Sequence, residues 1–280
     1  ASTGSITGSI SKAGTNAVTL IARNAKGEDK RRFKIIVGEQ IALTPPMGWN
    51  SWNCWGGTVS QEKVLGSAQA LKAAGLDRHG WNYINIDDGW QGKRGGSQNA
   101  IQPNFKFPEI KVLSEKIHGM GLRFGIYSTP WRGSYEGHIG SSCDNQNGLY
   151  DWIESGDHNE YYRIGNTGAA FNQMEGGAQN EAVRNKSKEG AEVMAKRKSN
   201  WKFGAYPFSE QDAKQWAEWG VDYLKYDWNP IDVPHVEAMA KSLRATGRDI
   251  VYSLSNSAPF KNATDWQQLA NLWRTTGDIN

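Results

Sequence analysis

Strand-like and helix-like segments alternate from residue 43 to the end of the chain, and this alternation constrains the fold more than any other feature. Six short runs of β-branched and aromatic residues, separated by helical patterns, begin near residues 47, 83, 123, 223, 250 and 272. Such alternation predicts a parallel α/β fold. The natural candidate is a (β/α)8 barrel of the TIM type, with about six of its βα units present.

One long polar stretch interrupts the alternation at residues 133–205. It is rich in Gly, Asn and Glu and carries one helix-like piece at residues 181–197. We interpret it as an insertion after the third strand, at the mouth of the barrel. Such an insertion either shapes a binding site or decorates the surface, and the sequence leaves both open.

Residues 1–41 differ from the barrel pattern of residues 42–280. Alternating β-branched residues broken by Asn24 and Lys26-Gly27 predict two or three hairpin-linked strands, which belong to a small β-sandwich module. An isolated hairpin is marginally stable in water. We therefore expect the module to begin upstream of residue 1.

The composition excludes several partner classes. The chain carries 32 Lys and Arg against 29 acidic residues, and a net charge of +3 is too small and dispersed to indicate nucleic-acid or membrane-surface binding. No apolar run reaches the length of a membrane span.

The 13 Trp suit the apolar face of a sugar ring, although most are expected in the core. Those beside predicted mouth residues are Trp49, Trp52, Trp90, Trp131, Trp228 and Trp273.

The two cysteines, Cys54 and Cys143, match no zinc-binding spacing, and the five His form no ligand pattern. We therefore expect no metal and no cofactor. The sequence leaves open whether the cysteines form a disulfide or remain thiols.

Two aspartates, Asp227 and Asp278, each follow a short apolar or aromatic run. A carboxylate at the end of a barrel strand emerges at the C-terminal mouth, where barrel enzymes place their chemistry. Together they suggest the carboxylate pair of a glycosidase, although a single strand-end Asp often caps a helix or lies in a turn. An alternative is a metal-dependent hydrolase that uses Asp87, Asp227 and Asp278 as oxygen ligands.

Five motifs in order resemble the family 27 glycoside hydrolases, which are the α-galactosidases and α-N-acetylgalactosaminidases. They are Thr44-Pro-Pro-Met-Gly-Trp-Asn-Ser-Trp, Ile86-Asp-Asp-Gly-Trp, Gly125-Ile-Tyr, Leu224-Lys-Tyr-Asp and Trp273-Arg-Thr-Thr-Gly-Asp-Ile. The resemblance covers about residues 43–280. The N-terminal strands resemble the end of the immunoglobulin-like modules of bacterial secreted glycosidases, which implies export to the periplasm or the exterior.

The resemblance implies a retaining double displacement. Asp227 would be the nucleophile and Asp278 the acid and base. Lys225 would favour the ionised form of Asp227, whereas burial and the nearby negative charge would keep Asp278 protonated. We expect the two carboxylates about 5 to 5.5 Å apart, because a separation near 9 Å would indicate inversion.

The resemblance also implies a set of sugar-binding residues. Asp87 and Asp88 would bind the 4- and 6-hydroxyls, although adjacent strand residues share a face only at a strand end or bulge. Lys225 and Arg274 would contact ring hydroxyls, and Tyr127 and Trp52 would line the pocket. Each could instead be a charge pair or a core residue of the barrel mouth.

The sequence departs from the family after the fifth strand. Many members carry Cys-Glu-Trp there, whereas this chain has Ser253-Leu-Ser-Asn-Ser-Ala. Ser255 and Ser257 could admit a larger substituent at carbon 2, or Asn256 could supply the missing hydrogen bond. Recognition at carbon 2 is thus open.

The predicted activity is hydrolysis of terminal α-galactosyl residues from oligo- or polysaccharides. The alternatives are α-N-acetylgalactosaminidase, β-L-arabinopyranosidase or α-glucan-cleaving specificity, or a catalytically silent sugar-binding barrel. A closed barrel needs eight strands. Because the chain ends two residues past Asp278, we expect it to be part of a longer protein.

Overall fold

The computed structural model describes residues 10, 12–38, 40–153 and 188–277. The chain divides into two compact units, Ala1–Thr44 and Pro45–Asn280. The boundary predicted at residues 41 and 42 therefore falls inside the first unit. Among the described helices, none is long and apolar enough to cross a membrane.

The first unit is a β-hairpin. Strands β1 (Gly14–Asn24) and β2 (Gly27–Val37) pair antiparallel in register from Gly14↔Val37 to Asn24↔Gly27. The turn lies at residues 25 and 26, where the sequence predicted it. Most side chains of both strands are exposed, apolar ones such as Leu20 and Ile21 among them. Whether the hairpin belongs to an immunoglobulin-like module stays a prediction.

The second unit is built on a five-stranded parallel sheet. Its strands are β3 (Met47–Asn50), β4 (Trp81–Asn85), β7 (Arg123–Ser128), β10 (Tyr223–Tyr226) and β11 (Val251–Leu254). They lie side by side in sequence order, and every neighbouring pair is parallel. Parallel strands that follow one another in one direction around a sheet are the pattern of a βα barrel. The predicted fold class is confirmed as part of such a barrel.

At the place of the predicted sixth strand, the described residues form a single parallel bridge to β11. Leu272 forms an isolated parallel bridge with Ser253. Asn271 and Leu272 both donate a backbone hydrogen bond to the carbonyl oxygen of Tyr252. In a parallel ladder the hydrogen bonds are evenly spaced along the strands. Here two consecutive N–H groups share one acceptor, so the pairing is not a regular ladder.

Helices cover the sheet between the strands. Their bounds are α1 (Trp52–Trp55), α2 (Gln61–Ala73), α3 (Ile110–Gly119), α4 (Lys188–Ser199), α5 (Ser209–Glu218), α6 (Val233–Ala245) and α7 (Ala263–Leu269). The Ser60 side chain caps α2, since it accepts from the backbone of Lys63. Ser209 is the first residue of α5, and the cap position before it holds Phe208.

One apolar core joins the helices to the sheet. It includes Val64, Leu71, Ile110, Leu113, Ile117, Trp216, Val236 and Met239 from the helices and Ile84, Phe124, Ile126 and Leu224 from the strands. The apolar helix positions recur at three- and four-residue spacing, so each helix buries one face. Packing of the sheet against the helices holds the strand ends in fixed positions, which is what a site at those ends requires.

A hairpin of β5 (Gln91–Gly95) and β6 (Ala100–Pro103) follows β4. Arg94 of β5 forms a buried bidentate ion pair with Asp212 of α5, at 2.5 and 2.9 Å. The backbone N–H of Ile101 also donates to Asp212, at 3.0 Å. These contacts fasten the hairpin to the helix layer.

The predicted insertion is described at its two ends. Strands β8 (Ser142–Cys143) and β9 (Tyr206–Pro207) pair antiparallel, and the Gly133 N–H donates to the Asn200 carbonyl, at 3.0 Å. Helix α4 covers the second half of the predicted helical piece, of which residues 181–187 lie outside the described residues. The two ends of the insertion are therefore tied together at its base.

Candidate active site

Lys225 lies between two of the predicted site carboxylates. Its Nζ donates to Asp87 Oδ2 at 2.9 Å and lies 3.6 Å from Asp227 Oδ2. Burial alone would lower the pKa of Lys225, but the negative charges of Asp87 and Asp227 outweigh burial and raise it. The ammonium therefore keeps its proton and places a positive charge beside both carboxylates.

Asp87 and Asp88 follow the end of β4 at Asn85, so strand alternation no longer separates their side chains. The Asp87 carboxylate accepts from Asn50 Nδ2 and from the backbone of Asp88, each at 2.9 Å, besides Lys225. Its own backbone N–H donates to Ser51 Oγ at 2.9 Å. Asp87 is thus held by the ends of β3 and β10.

Asp88 is buried, at 2% exposure, and its carboxylate interacts with the Ser134 side chain and with the backbone of Glu136. Oδ2 accepts from the backbone N–H of Glu136 at 2.8 Å. Oδ1 has no hydrogen-bond partner among the described residues. Burial, together with the negative charges of Glu136 and Asp87, raises the pKa of Asp88 to about 7.

Tyr127 of β7 is also buried, and its hydroxyl has no hydrogen-bond partner within the described residues. The Lys225 ammonium lies 5.2 Å from the centre of its ring. Burial raises the pKa of Tyr127 well above its ordinary value, and the charges of Asp227, Asp88 and Asp87 raise it further. The hydroxyl therefore stays protonated and can donate a hydrogen bond.

Asp227 directly follows β10, and its backbone N–H donates to the carbonyl of Ser128 at 2.9 Å. This bond extends the pairing of β10 with β7 by one residue. The side chain is almost buried, at 8% exposure for the residue. Asp227 therefore projects from a fixed strand end beside Lys225, as the sequence predicts.

The remaining predicted residues lie around this group. Trp52, 38% exposed, donates its backbone N–H to the Asn50 side chain. Ser255 is buried and donates its backbone N–H to the Tyr226 carbonyl at 3.1 Å, while its hydroxyl donates to Asn256 Oδ1 at 3.2 Å.

The segment that carries Arg274 follows the loop after β11. The backbone N–H of Ala258 donates to the carbonyl of Arg274 at 2.8 Å, and that of Ser257 donates to Thr276 at 3.0 Å. Asp278 lies outside the described residues. Its separation from Asp227 and its role as acid and base stay predictions.

Several expectations about neighbouring residues are corrected by burial. Trp90 and Trp228 are fully buried, so neither offers a face to a ligand. The Trp90 indole instead donates to the Tyr127 carbonyl at 2.9 Å and thereby fixes β7.

Cys54 and Cys143 are both free thiols, which settles the choice that the sequence left open.

Sequence reasoning missed three contributors to the site. Asn50 and Ser51 are polar residues at the end of β3, and that position is a signal that could have identified them. Glu136, whose backbone N–H donates to Asp88, lies in the insertion and carries no comparable signal.

Within the part of the chain that the structure describes, no three His, Cys, Asp or Glu side chains are grouped to hold a metal ion.

The group combines ionised acceptors, a fixed cation and a phenol donor at the ends of adjacent strands. Buried polar atoms without partners are rare in folded proteins and call for an explanation. Asp88 Oδ1 and Tyr127 Oη are such atoms. A ligand with several hydroxyl groups would satisfy both, while Asp227 beside Lys225 suits a carboxylate nucleophile.

Comparisons with known proteins agree on one family. The family model described as Alpha galactosidase A matches residues 44–152 and 191–280. The α-galactosidase of Coffea arabica is 30% identical over 259 residues, which cover 90% of this chain and 52% of that protein.

Two solved structures are also similar. A Bacteroides fragilis structure has a TM-score of 0.69 and 31% identity, over 98% of this chain and 47% of that one. A GH27 β-L-arabinopyranosidase from Geobacillus stearothermophilus has a TM-score of 0.53 and 26% identity, over 85% of this chain and 54% of its own. The chain spans about half the length of the curated relatives that it matches.

Proposed function

Because the chain belongs to the Alpha galactosidase A family of glycoside hydrolases, we propose that the protein hydrolyses terminal α-galactosyl residues from oligo- or polysaccharides. The observation that carries the proposal is the pair of buried, unpartnered atoms, Asp88 Oδ1 and Tyr127 Oη, beside the Asp87–Lys225–Asp227 cluster. These groups offer one hydroxyl acceptor and one donor in a dry site, where hydrogen bonds to a charged group are strong.

The proposed reaction is a retaining double displacement. Asp227 attacks the anomeric carbon and forms a covalent glycosyl-enzyme, while the leaving oxygen takes a proton from Asp278. Asp278 then removes a proton from water, and that water releases the sugar with its anomeric configuration kept. Lys225, 3.6 Å from Asp227, keeps the nucleophile ionised before the attack.

A direct test is hydrolysis of p-nitrophenyl α-galactoside by the full-length protein and by an Asp227→Ala variant. We expect release of galactose that resists a chelator and disappears in the variant. The matched control is Asp249→Ala, an exposed carboxylate at the opposite end of β11, which should keep full activity. Galactose binding without turnover would indicate a silent sugar-binding barrel, and activity lost on chelation would indicate a metal-dependent hydrolase.

The loop after β11 favours a second candidate substrate, a β-L-arabinopyranoside. Ser255 and Asn256 bond to one another there, where many members of the family carry a Glu, and the similar structure from Geobacillus stearothermophilus is a β-L-arabinopyranosidase. Adding p-nitrophenyl β-L-arabinopyranoside, α-N-acetylgalactosaminide and α-glucoside to the assay decides between these sugars. The sugar with the highest kcat/KM identifies the specificity.

Export and an N-terminal immunoglobulin-like module belong to the same proposal. The module is supported by the β1–β2 hairpin, because two strands, the number in the described part of this unit, are marginal as a sheet on their own. Export is supported by the resemblance of these strands to modules of bacterial secreted glycosidases. Fractionation of cells that produce the protein tests export. Recovery of the protein in the cytoplasm would contradict it.

A further inference from the structure

A buried ion pair links the two ends of the insertion behind Asp88. Arg197 Nη1 of α4 lies 3.0 Å from Glu136 Oε2, and the two side chains are 2% and 7% exposed. Removing one partner of a buried pair leaves an uncompensated charge, which is costly. The pair therefore holds together the two described ends of the insertion.

Glu136 connects this pair to the candidate site. Its backbone N–H donates to Asp88 Oδ2 at 2.8 Å. The negative charge of Glu136 also acts on Asp88, where it favours the protonated form. Arg197 thus balances the charge of the residue that holds Asp88 in place.

We propose that Arg197 is a positioning residue for sugar binding, which acts through Glu136 to keep Asp88 oriented and ionised as a hydroxyl acceptor. The inference rests on the proposed function, because it assigns a role to Asp88 in binding a sugar hydroxyl. It gives the insertion a part in the chemistry of the barrel mouth.

The charges around Asp88 come from several elements. Asp87 is its neighbour in the chain, Lys225 approaches from β10 and Tyr127 from β7, and each of the three interacts electrostatically with Asp88. The cation of Lys225 favours ionised Asp88, whereas Asp87 opposes it.

The titratable groups around Glu136 include His138, which carries no charge near neutral pH. Burial and the positive charge of Lys106 lower the pKa of His138 to about 3, although the negative charge of Glu136 acts in the other direction. His138 therefore adds no positive charge near neutral pH. Lys106 belongs to the same cluster, and its ammonium donates to the carbonyl of Gly57 at 2.6 Å.

The base of the insertion does not depend on this ion pair for its backbone contacts. The N–H of Arg132 donates to the Lys202 carbonyl at 2.7 Å, and the indole of Trp201 donates to the Ser134 carbonyl at 3.0 Å. We therefore expect variants at Glu136 and Arg197 to keep these backbone contacts, although they lose stability. Trp201→Phe is a matched control, because it loosens the same interface without changing its charge.

The experiment is the pH profile of kcat/KM on p-nitrophenyl α-galactoside for the full-length protein and four variants, Arg197→Met, Glu136→Gln, the double variant and Trp201→Phe. Arg197→Met removes the positive charge beside Glu136, so the acidic limb should move to higher pH by about one unit, which is a tenfold loss of kcat/KM on that limb. Glu136→Gln should move it to lower pH. The double variant should restore the original limb.

An acidic limb that stays in place in Glu136→Gln, or that moves equally in Arg197→Met and Trp201→Phe, would overturn the inference while leaving the glycosidase activity intact. Should Arg197→Met fail to fold, Glu136→Gln and Arg197→Lys still decide, since Arg197→Lys should keep the limb of the unaltered protein. Calorimetric binding of galactose over the same pH range gives a readout without turnover. If the unaltered protein neither hydrolyses nor binds the sugar, the proposed function fails and the inference fails with it.

Discussion

Replacing Asp88 with Asn should stabilise the protein and at the same time weaken its activity. The folded state buries this carboxyl with one oxygen unpartnered among the described residues, and a buried charge without full compensation is unfavourable. Asn has nearly the same shape and can still accept the hydrogen bond from the Glu136 backbone. The substitution therefore removes the cost of the charge and keeps the local structure.

The size of the effect follows from the pKa of Asp88, which burial raises from the ordinary 3.8 to about 7. At roughly 1.4 kcal/mol per pH unit, this corresponds to about 4 kcal/mol. The folded state binds the Asp88 proton more tightly than the unfolded state does. The stability that this protonation contributes is therefore fully present below pH 4. It falls as the pH rises to about 7 and is constant above that. The gain from Asp88→Asn should therefore be near zero at pH 4 and approach about 4 kcal/mol at pH 8.

Urea unfolding of the full-length protein at pH 4, 5, 6, 7 and 8 measures this gain. Glu210→Gln is a control of opposite sign, because its hydrogen bond with Lys214 lowers the pKa of Glu210. That variant should lose stability at neutral pH, and the loss should vanish as the pH falls. An Asp88→Asn gain that is independent of pH, or that shrinks as the pH rises, would refute the reasoning.

The activity should change in the other direction. An amide in place of Asp88 Oδ1 loses a charged acceptor for a sugar hydroxyl, and such hydrogen bonds contribute roughly 1.5 to 3 kcal/mol. We therefore expect kcat/KM on an α-galactoside to fall by about 10- to 150-fold. A variant that is both more stable and fully active would show that Asp88 does not contact the substrate.

Two further predictions concern stability. In Gly125→Ala, the added Cβ would lie 2.1 Å from Asn85 Oδ1 and 2.9 Å from Tyr223 Cβ, so we expect a loss of about 1 to 3 kcal/mol in urea unfolding. Gly119→Ala, whose Cβ meets nothing within 4 Å, should be neutral or stabilising, and equal effects would contradict the close approach of the strands. Arg94→Met leaves the buried carboxylate of Asp212 without its partner, which should cost about 3 to 5 kcal/mol. Lys214→Met, which breaks an exposed pair with Glu210, should cost less than about 1 kcal/mol, and a similar cost for both would contradict the importance of burial.

The sequence by itself determined the type of the elements and the ends of the strands. Apolar periodicity reports which faces are buried, so the alternation of strands and helices was visible without the structure. Asp227 was identified for the same reason, because a polar residue directly after a buried run marks the end of a strand in a parallel sheet. Asp87 and Lys225 were implied by the resemblance to a known family.

Contacts between distant segments were decided only by the tertiary structure. The bonds from Asn50 to Asp87 and from Glu136 to Asp88, and the pairing of Glu136 with Arg197, join residues far apart in the chain. The free thiols of Cys54 and Cys143 and the reduction of the sixth strand to one bridge depend on the same long-range geometry. A local sequence pattern shows which face of its own helix or strand a residue occupies. The contacts between distant segments depend instead on which strand ends become neighbours and on where the insertion returns to them.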